Sequence, residues 1–422
     1  MVATTSVLNA IEAEPEEVGL SSARLRNLSR RVEEYVEEGQ IPGAITVVAR
    51  EGKVVHFETC GSMDDEAGKP MTADAIFRIY SMTKPIVSLA LMQLYEEGRF
   101  QLDDPASKYI PEFKGLRVFD GGSVDRFETR EPSREMTVRD LLTHMGGLSS
   151  PGIRFGADDV IAQLYQRAGV PGIGHEGTLQ DTIEKLGSLP LQADPGTRWI
   201  YGVSTDVVGY LVEVLSGKPL DAYLEERVFR PLGMNDTSFY VPPDKLGRFA
   251  ACYQPGEGAG GKRYVLQDDP RTSQFAAGGT YFSGVGGLCG TAADYVRFAK
   301  MLANGGELDG VRVIGKRTLE FMTLNHLPGG RQLADLRQPM PGFTLQRGVG
   351  FGLGFAVLLD PAEAQVLGSP GEFYWSGAAS THFYVSPRDG LAAVFMTQMF
   401  APPNQNTFSR DIRVLVYQAI VD

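Results

Sequence analysis

The sequence predicts an α+β fold: an antiparallel sheet built from N- and C-terminal segments, flanked by helices, plus an inserted helical lobe. Three observations carry this. β-rich runs around tight turns lie near both ends of the chain, and helical patterns fill the stretch between them. From about residue 111 to 275 the character changes, with frequent Pro and Gly and shorter helical runs. A length of 422 residues exceeds one small domain and suits two lobes.

Residues 1–17 are polar and read as an N-terminal arm. In 21–38, Leu25, Leu28, Val32 and Val36 recur at helical spacing before Gly39 stops the run. AITVVAR (44–50), Glu51-Gly52 and KVVHFET (53–59) read as a hairpin. SMTKPIVSLALMQLYEEG (81–98) is a buried helix. Pro85 lies in its first turn, where a missing N–H costs little. Short helices follow in VRDLLTHM, DTIEKLGS and STDVVGYLVEVLSG, then a longer one in 291–306. THFYVS (381–386), Pro387-Arg388-Asp389-Gly390 and LAAVFMT (391–397) form a second hairpin, and 409–422 a closing amphipathic helix. The sheet domain is therefore expected over 18–110 and 276–422, with the mainly helical insertion at 111–275.

The net charge of −12 argues against nucleic acid as a partner, because an acidic surface repels phosphate. No apolar run approaches the ~20 residues of a membrane helix. The N-terminus lacks the basic start and apolar core of a secretory signal, and Cys60, Cys252 and Cys289 are odd in number and far apart. A reducing, cytoplasmic setting is expected. The five histidines never fall at metal-ligand spacing, so neither metal nor cofactor is expected.

A serine hydroxyl becomes a useful nucleophile only when a base takes its proton. Ser81 and Lys84, in Ser81-Met82-Thr83-Lys84, are three residues apart on one helix face, about 5–6 Å between Cβ atoms. They also open a helix, where backbone N–H groups favour a developing anion. The spacing alone is weak, since an N-cap serine beside a surface lysine gives the same pattern. A free lysine holds its proton to about pH 10.4, so drawing one down to act near neutrality costs roughly 4 kcal/mol. A nearby phenol could share that proton. Tyr201, after the turn at Pro195-Gly196 and just before a helix near Ser204, is the candidate.

From about residue 17 to the C-terminus the chain resembles the serine β-lactamase and penicillin-binding-protein-like superfamily, and within it the family VIII carboxylesterases. FRIYSMTKPI (77–86), TVRDLLTHMGGL (137–148), PGTRWIYGVSTDVVGYLVEVLSGKPL (195–220), GGLCGTAADYVRFAKML (286–302) and YWSGAASTHFYVSP (374–387) carry the resemblance in order. It implies Ser81 as the acylated nucleophile, Lys84 as the group holding or moving the proton, and Tyr201 as general base. The family's third motif falls on Trp375-Ser376-Gly377, a substrate-binding strand. The backbone N–H groups of Ser81 and Ala378 would form the oxyanion hole, where one donor is worth ~2.7–4 kcal/mol. Tyr165, in the insertion, resembles a substrate-pocket tyrosine of these esterases. Val203 stands where β-lactamases carry Asn, and Trp375 where they carry a cation that grips a carboxylate.

Those departures favour short-chain or neutral carboxylic esters, with a small-molecule ester as the partner. The same core also supports a β-lactamase or D,D-peptidase, acyl transfer to an alcohol, or a degenerate relative that only binds. A lipase-type Gly-x-Ser-x-Gly is absent. His382 could belong to a Ser-His-Asp arrangement, but a strand histidine that faces solvent or packs is the better-supported reading. His144 reads as a structural hydrogen-bonding residue. Gly172-Ile173-Gly174-His175-Glu176-Gly177 lacks the strand–helix context of a dinucleotide site.

Overall fold

The computed structural model describes residues 11–151, 159–172, 176–336 and 347–422. The chain opens with α1 (Ser22–Glu37), whose Ser21 cap accepts from the Arg24 N–H. Strands β1 (Gly43–Arg50), β2 (Lys53–Asp64) and β3 (Lys69–Pro70) follow, then a short β4 (Ile76–Arg78) and α2 (Thr83–Glu96). The β1–β2 turn uses Glu51 at φ 52° and Gly52 at φ 77°. Two consecutive left-handed residues give the tight hairpin that the Gly predicted.

The next segment contributes α3 (Val138–Leu142), α4 (Val160–Arg167), α5 (Leu179–Gly187) and α6 (Ser204–Ser216). It is not purely helical. Hairpins at 118–130 and 252–268 interrupt it. The second leans on the end of the last sheet strand, with Tyr253 N–H donating to Gln398 O. β5 (Cys289–Thr291) pairs with β4, and α7 (Ala292–Ala303) starts at the Thr291 cap. The sheet then finishes with β6 (Val349–Phe351), β7 (Ala356–Leu358), β8 (Phe373–Ser376), β9 (His382–Ser386) and β10 (Leu391–Thr397), before α8 (Gln405–Tyr417).

Eight strands form one antiparallel sheet in the order β6-β7-β8-β9-β10-β1-β2-β3. The first strand of the chain pairs with the last, Ile45 opposite Met396 and Val47 opposite Val394. The two ends of the sequence thus complete each other's hydrogen bonding, which is the predicted architecture. Alternation along β1 divides the core. Ile45, Val47 and Ala49 face the cluster that includes α2, α6 and α7. Ala44 and Val48 face a second cluster with Leu25, Leu28 and Val32 of α1 and Phe408, Ile412 and Val416 of α8. Each fully buried aliphatic side chain contributes about 1.5–3 kcal/mol.

Three boundaries differ from the sequence reading. The described part of the predicted arm is anchored: Glu12 N–H donates to Val54 O and its carboxylate pairs with Lys300. The closing helix starts at Gln405, after Pro402-Pro403 and the cap residue Asn404, and ends at Tyr417. Ser81 precedes the regular helix, on the 3₁₀ turn Tyr80–Met82 that leads into α2. Residues 173–175 of the Gly-rich run lie outside the described residues. Among the described residues no helix is long and apolar enough to cross a membrane.

Candidate active site

The Ser81 turn is held from both sides. Upstream, Arg78 is fully buried: it donates to Asp268 and Ala250 O, both at 2.6 Å, and lies 3.9 Å over the Phe249 ring. Downstream, Leu288 N–H donates to Thr83 Oγ1 and Tyr295 OH to Met82 O. Between them Tyr80 has φ 43°, a left-handed backbone that disfavours a large side chain. Packing of its ring against Phe275 and Phe400 offsets that strain. The result is a sharp bend that sets Ser81 at the mouth of α2.

Lys84, one turn on, is 2% exposed. Its Nζ donates to Ser81 Oγ at 3.0 Å and to Val285 O at 2.7 Å. It also lies 4.5 Å from the centroid of the Tyr201 ring. The structure therefore brings Ser81, Lys84 and Tyr201 together, although they come from two distant helix starts.

Tyr201 is positioned by backbone stitching. Ile200 N–H donates to His144 O and Val203 N–H to Ser149 O. Gly202 lets the chains meet this closely, since a Cβ there would stand 2.2 Å from Ser149 O. The Tyr201 ring stacks on Trp199, tilts against Trp375 at 5.5 Å, and contacts His144 at 5.0 Å. Phe351 closes the group against Trp375 and Trp199. Burial, then the Lys84 charge, pushes His144 well below the usual histidine range. It is a neutral ring in an aromatic wall, and its Nδ1 has no partner among the described residues. That leaves the expected hydrogen-bonding role without support at this atom.

The third motif lies alongside. β8 carries Trp375 toward the same core, opposite Phe383 of β9. Ser376 follows in the register opposite His382 and ends the strand. Gly377 has a steric reason: a Cβ would stand 2.4 Å from Ile79 O and 2.2 Å from Thr381 Oγ1. This close approach sets the strand end against the Ser81 turn. Residues 377–381 are then pinned by their neighbours: Gly377 N–H donates to Thr381 O, and Ala378 O accepts from Ala401 N–H. The N–H groups of Ser81 and Ala378 donate to no described residue. Both candidate oxyanion donors are thus unspent.

One expectation needs correction. Tyr165 is 1% exposed on α4, and its hydroxyl is tied to the Ser149 backbone. It backs the segment that holds Gly202 and Val203, and presents no surface to a substrate. His382 is buried on the face under α8, between Tyr374 and Tyr384, with neither ring nitrogen hydrogen-bonded to a described residue. It belongs to packing, and the Ser-His-Asp alternative has no geometry here.

The sequence reading missed Asp206 and the 281–285 loop. Asp206 is 2% exposed in the first turn of α6 and accepts from Tyr281 OH, Ser283 Oγ and Val285 N–H. An acid inside the apolar run STDVVGYL was the available signal. Among the described residues no cluster of three or more His, Cys, Asp or Glu could hold a metal ion.

Comparison with known proteins agrees with this geometry. The profile of the family described as Beta-lactamase matches residues 28–417. Protein Rv1367c of Mycobacterium tuberculosis (strain ATCC 25618 / H37Rv) is 34% identical over 372 residues, covering 87% of this chain and 88% of its own. Esterase EstB of Burkholderia gladioli is 32% identical over 409 residues, covering 92% and 94%. The solved structure of EstCE1, a hydrolase with promiscuous acyltransferase activity, superposes with a TM-score of 0.77 at 25% identity, over 94% of this chain and 99% of that one. On the match over residues 28–417, the similarity to Esterase EstB and the shared fold, this chain belongs to the beta-lactamase family.

Proposed function

We propose that the protein is a serine carboxylesterase that hydrolyses short-chain or neutral carboxylic esters through an acyl-enzyme on Ser81. The observation that carries this reading is the 3.0 Å hydrogen bond from Lys84 Nζ to Ser81 Oγ, beside the Tyr201 ring. The similarity to Esterase EstB adds to it.

The chemistry follows from these positions. As Ser81 Oγ bonds to the ester carbonyl carbon, its proton passes to the Lys84–Tyr201 pair. The carbonyl oxygen becomes an oxyanion, which the Ser81 and Ala378 N–H groups stabilise. Collapse breaks the bond to the alkoxide, and the leaving group takes the proton. A water molecule then repeats the sequence, frees the acid and restores Ser81. Trp375, Tyr201 and Phe351 give the reacting centre an aromatic wall, which suits an uncharged acyl or alcohol group. Acyl transfer to an alcohol needs only that an alcohol replace the water, and the promiscuous acyltransferase activity of EstCE1 favours it as a side reaction.

The test is hydrolysis of p-nitrophenyl acetate and butyrate by wild type and Ser81→Ala, with nitrocefin as competitor substrate. Ester turnover that disappears in Ser81→Ala supports the reading. Unchanged turnover in the variant sinks it. Faster turnover of nitrocefin than of the simple esters would make the protein a β-lactamase first.

A further inference from the structure

Asp206 is a buried charged group beside the reacting residues that the acyl-enzyme chemistry leaves without a task. Its Oδ2 accepts from Tyr281 OH at 2.9 Å. Its Oδ1 accepts from Ser283 Oγ at 2.9 Å and Val285 N–H at 3.0 Å. A carboxylate oxygen can only accept, so the single Tyr281 hydroxyl proton is the donor of the Tyr281 contact. A carboxylate satisfies every one of these donors. Burial raises the carboxyl above its usual range, while the three hydrogen bonds and the Lys84 charge oppose that rise.

Val285 links this acid to the lysine. Its N–H is spent on Asp206 and its carbonyl on Lys84 Nζ, at 2.7 Å. The loop has little freedom to shift. A Cβ on Gly284 would stand 2.4 Å from Thr205 O, so the loop backbone lies directly on the first turn of α6. Tyr201 lies just ahead of the same helix, five residues before Asp206. One short segment therefore carries the phenol that faces Lys84 and the acid that fixes the carbonyl to which Lys84 donates.

A reason for the arrangement lies at Val203. It is 3% exposed and apolar, at the position where the resembling β-lactamases carry Asn. It offers Lys84 no polar side chain. A buried ammonium without compensation is costly, and a carboxylate in the same interior offsets that cost. Direct contact with the acid would hold Nζ in an ion pair. Contact through the Val285 carbonyl leaves one Nζ proton on Ser81 Oγ.

We propose that Asp206 is a positioning residue for the Ser81 chemistry: it locks the 281–285 loop so that the Val285 carbonyl aims Lys84 at Ser81, and it supplies the buried negative charge that keeps Lys84 there. The proposal rests on the acyl-enzyme reading above.

The experiment measures kcat and KM on p-nitrophenyl butyrate, the rate of phosphonate labelling at Ser81, and thermal stability, for wild type, Asp206→Asn and Tyr281→Phe. For Asp206→Asn, kcat falls at least about 50-fold, KM stays within about threefold, and labelling slows in parallel with kcat. Tyr281→Phe removes one of three donors and lowers kcat by roughly 3–10-fold at unchanged KM. It decides the question if Asp206→Asn fails to fold. Variants that keep wild-type kcat, or that change KM alone, overturn the proposal. A wild type that neither turns over the ester nor labels at Ser81 overturns the acyl-enzyme reading, and this inference with it.

Discussion

The two faces of the sheet each bury a charged cluster, and the clusters are built oppositely. Under α8, Arg413 Nη2 lies 2.7 Å from Glu372 Oε1, with exposures of 7% and 0%. The contact is close but poorly aligned, since Glu372 Oε1 makes no hydrogen bond, while Tyr417 OH donates to Oε2 at 2.5 Å. Arg413 also lies over the Tyr374 and Tyr384 rings. On the other face Lys84 and Asp206 do not form an ion pair. The Val285 backbone stands between them. Contact between opposite charges ties α8 to the sheet. Separation by a peptide group leaves the lysine with a proton to exchange.

Lysine and arginine suit these two tasks. A guanidinium is always charged and stacks on aromatic rings, so it serves as a fixed post. An ammonium can lose its proton, so it serves as a carrier. The strongest way to break the comparison is to remove each cation in turn. Lys84→Met should lower kcat at least about 10²-fold while moving the thermal midpoint little, because Asp206 keeps its three donors. Arg413→Met should do the reverse. It leaves Glu372 buried without its partner, at a cost of roughly 3–5 kcal/mol, and kcat of the folded fraction should change little. Urea denaturation and steady-state kinetics on both variants decide. Equal losses of stability would mean that both clusters merely hold the fold.

A smaller effect is expected at Tyr165. Its hydroxyl reaches the Ser149 backbone, and Ser149 O holds Val203 N–H. Tyr165→Phe removes the first link and should lower kcat by roughly 2–5-fold through Tyr201, with KM unchanged. A change in KM alone would restore the substrate-contact role that burial argues against.

What was legible in the sequence follows the same division. Ser81 and Lys84 could be found because three residues on a helix fix a neighbour relation locally. The sheet could be found because turn residues such as Glu51-Gly52 and Asp389-Gly390 punctuate its hairpins. Asp206 could not be assigned, because Tyr281, Ser283 and Val285 lie far along the chain and no local spacing encodes their meeting. Tyr80 gave no signal either, since its left-handed backbone is imposed by Phe275 and Phe400 and not by its own residue type.

His382 offers the mildest and most specific check on the far face. Burial, then the Arg413 charge, pushes it down to about 3. An ordinary histidine titrates near pH 6.5, so between those values the unfolded chain binds a proton that the folded protein refuses. Its contribution to stability is complete above about pH 6.5 and is lost as pH falls toward the folded value. His382→Phe abolishes that titration. Neither ring nitrogen has a partner among the described residues, so no hydrogen bond is given up, and the Tyr374 and Tyr384 rings remain to pack against. The variant should match wild type at pH 8 within about 1 kcal/mol and lose less stability on acidification to pH 4.5. The acid sensitivity should shrink without vanishing, because burial also lowers His56 and His144. Its kcat/KM should stay within about twofold of wild type, since it lies across the sheet from Ser81. A collapse of kcat in this variant would make His382 part of the reaction and erase the separation of the two faces.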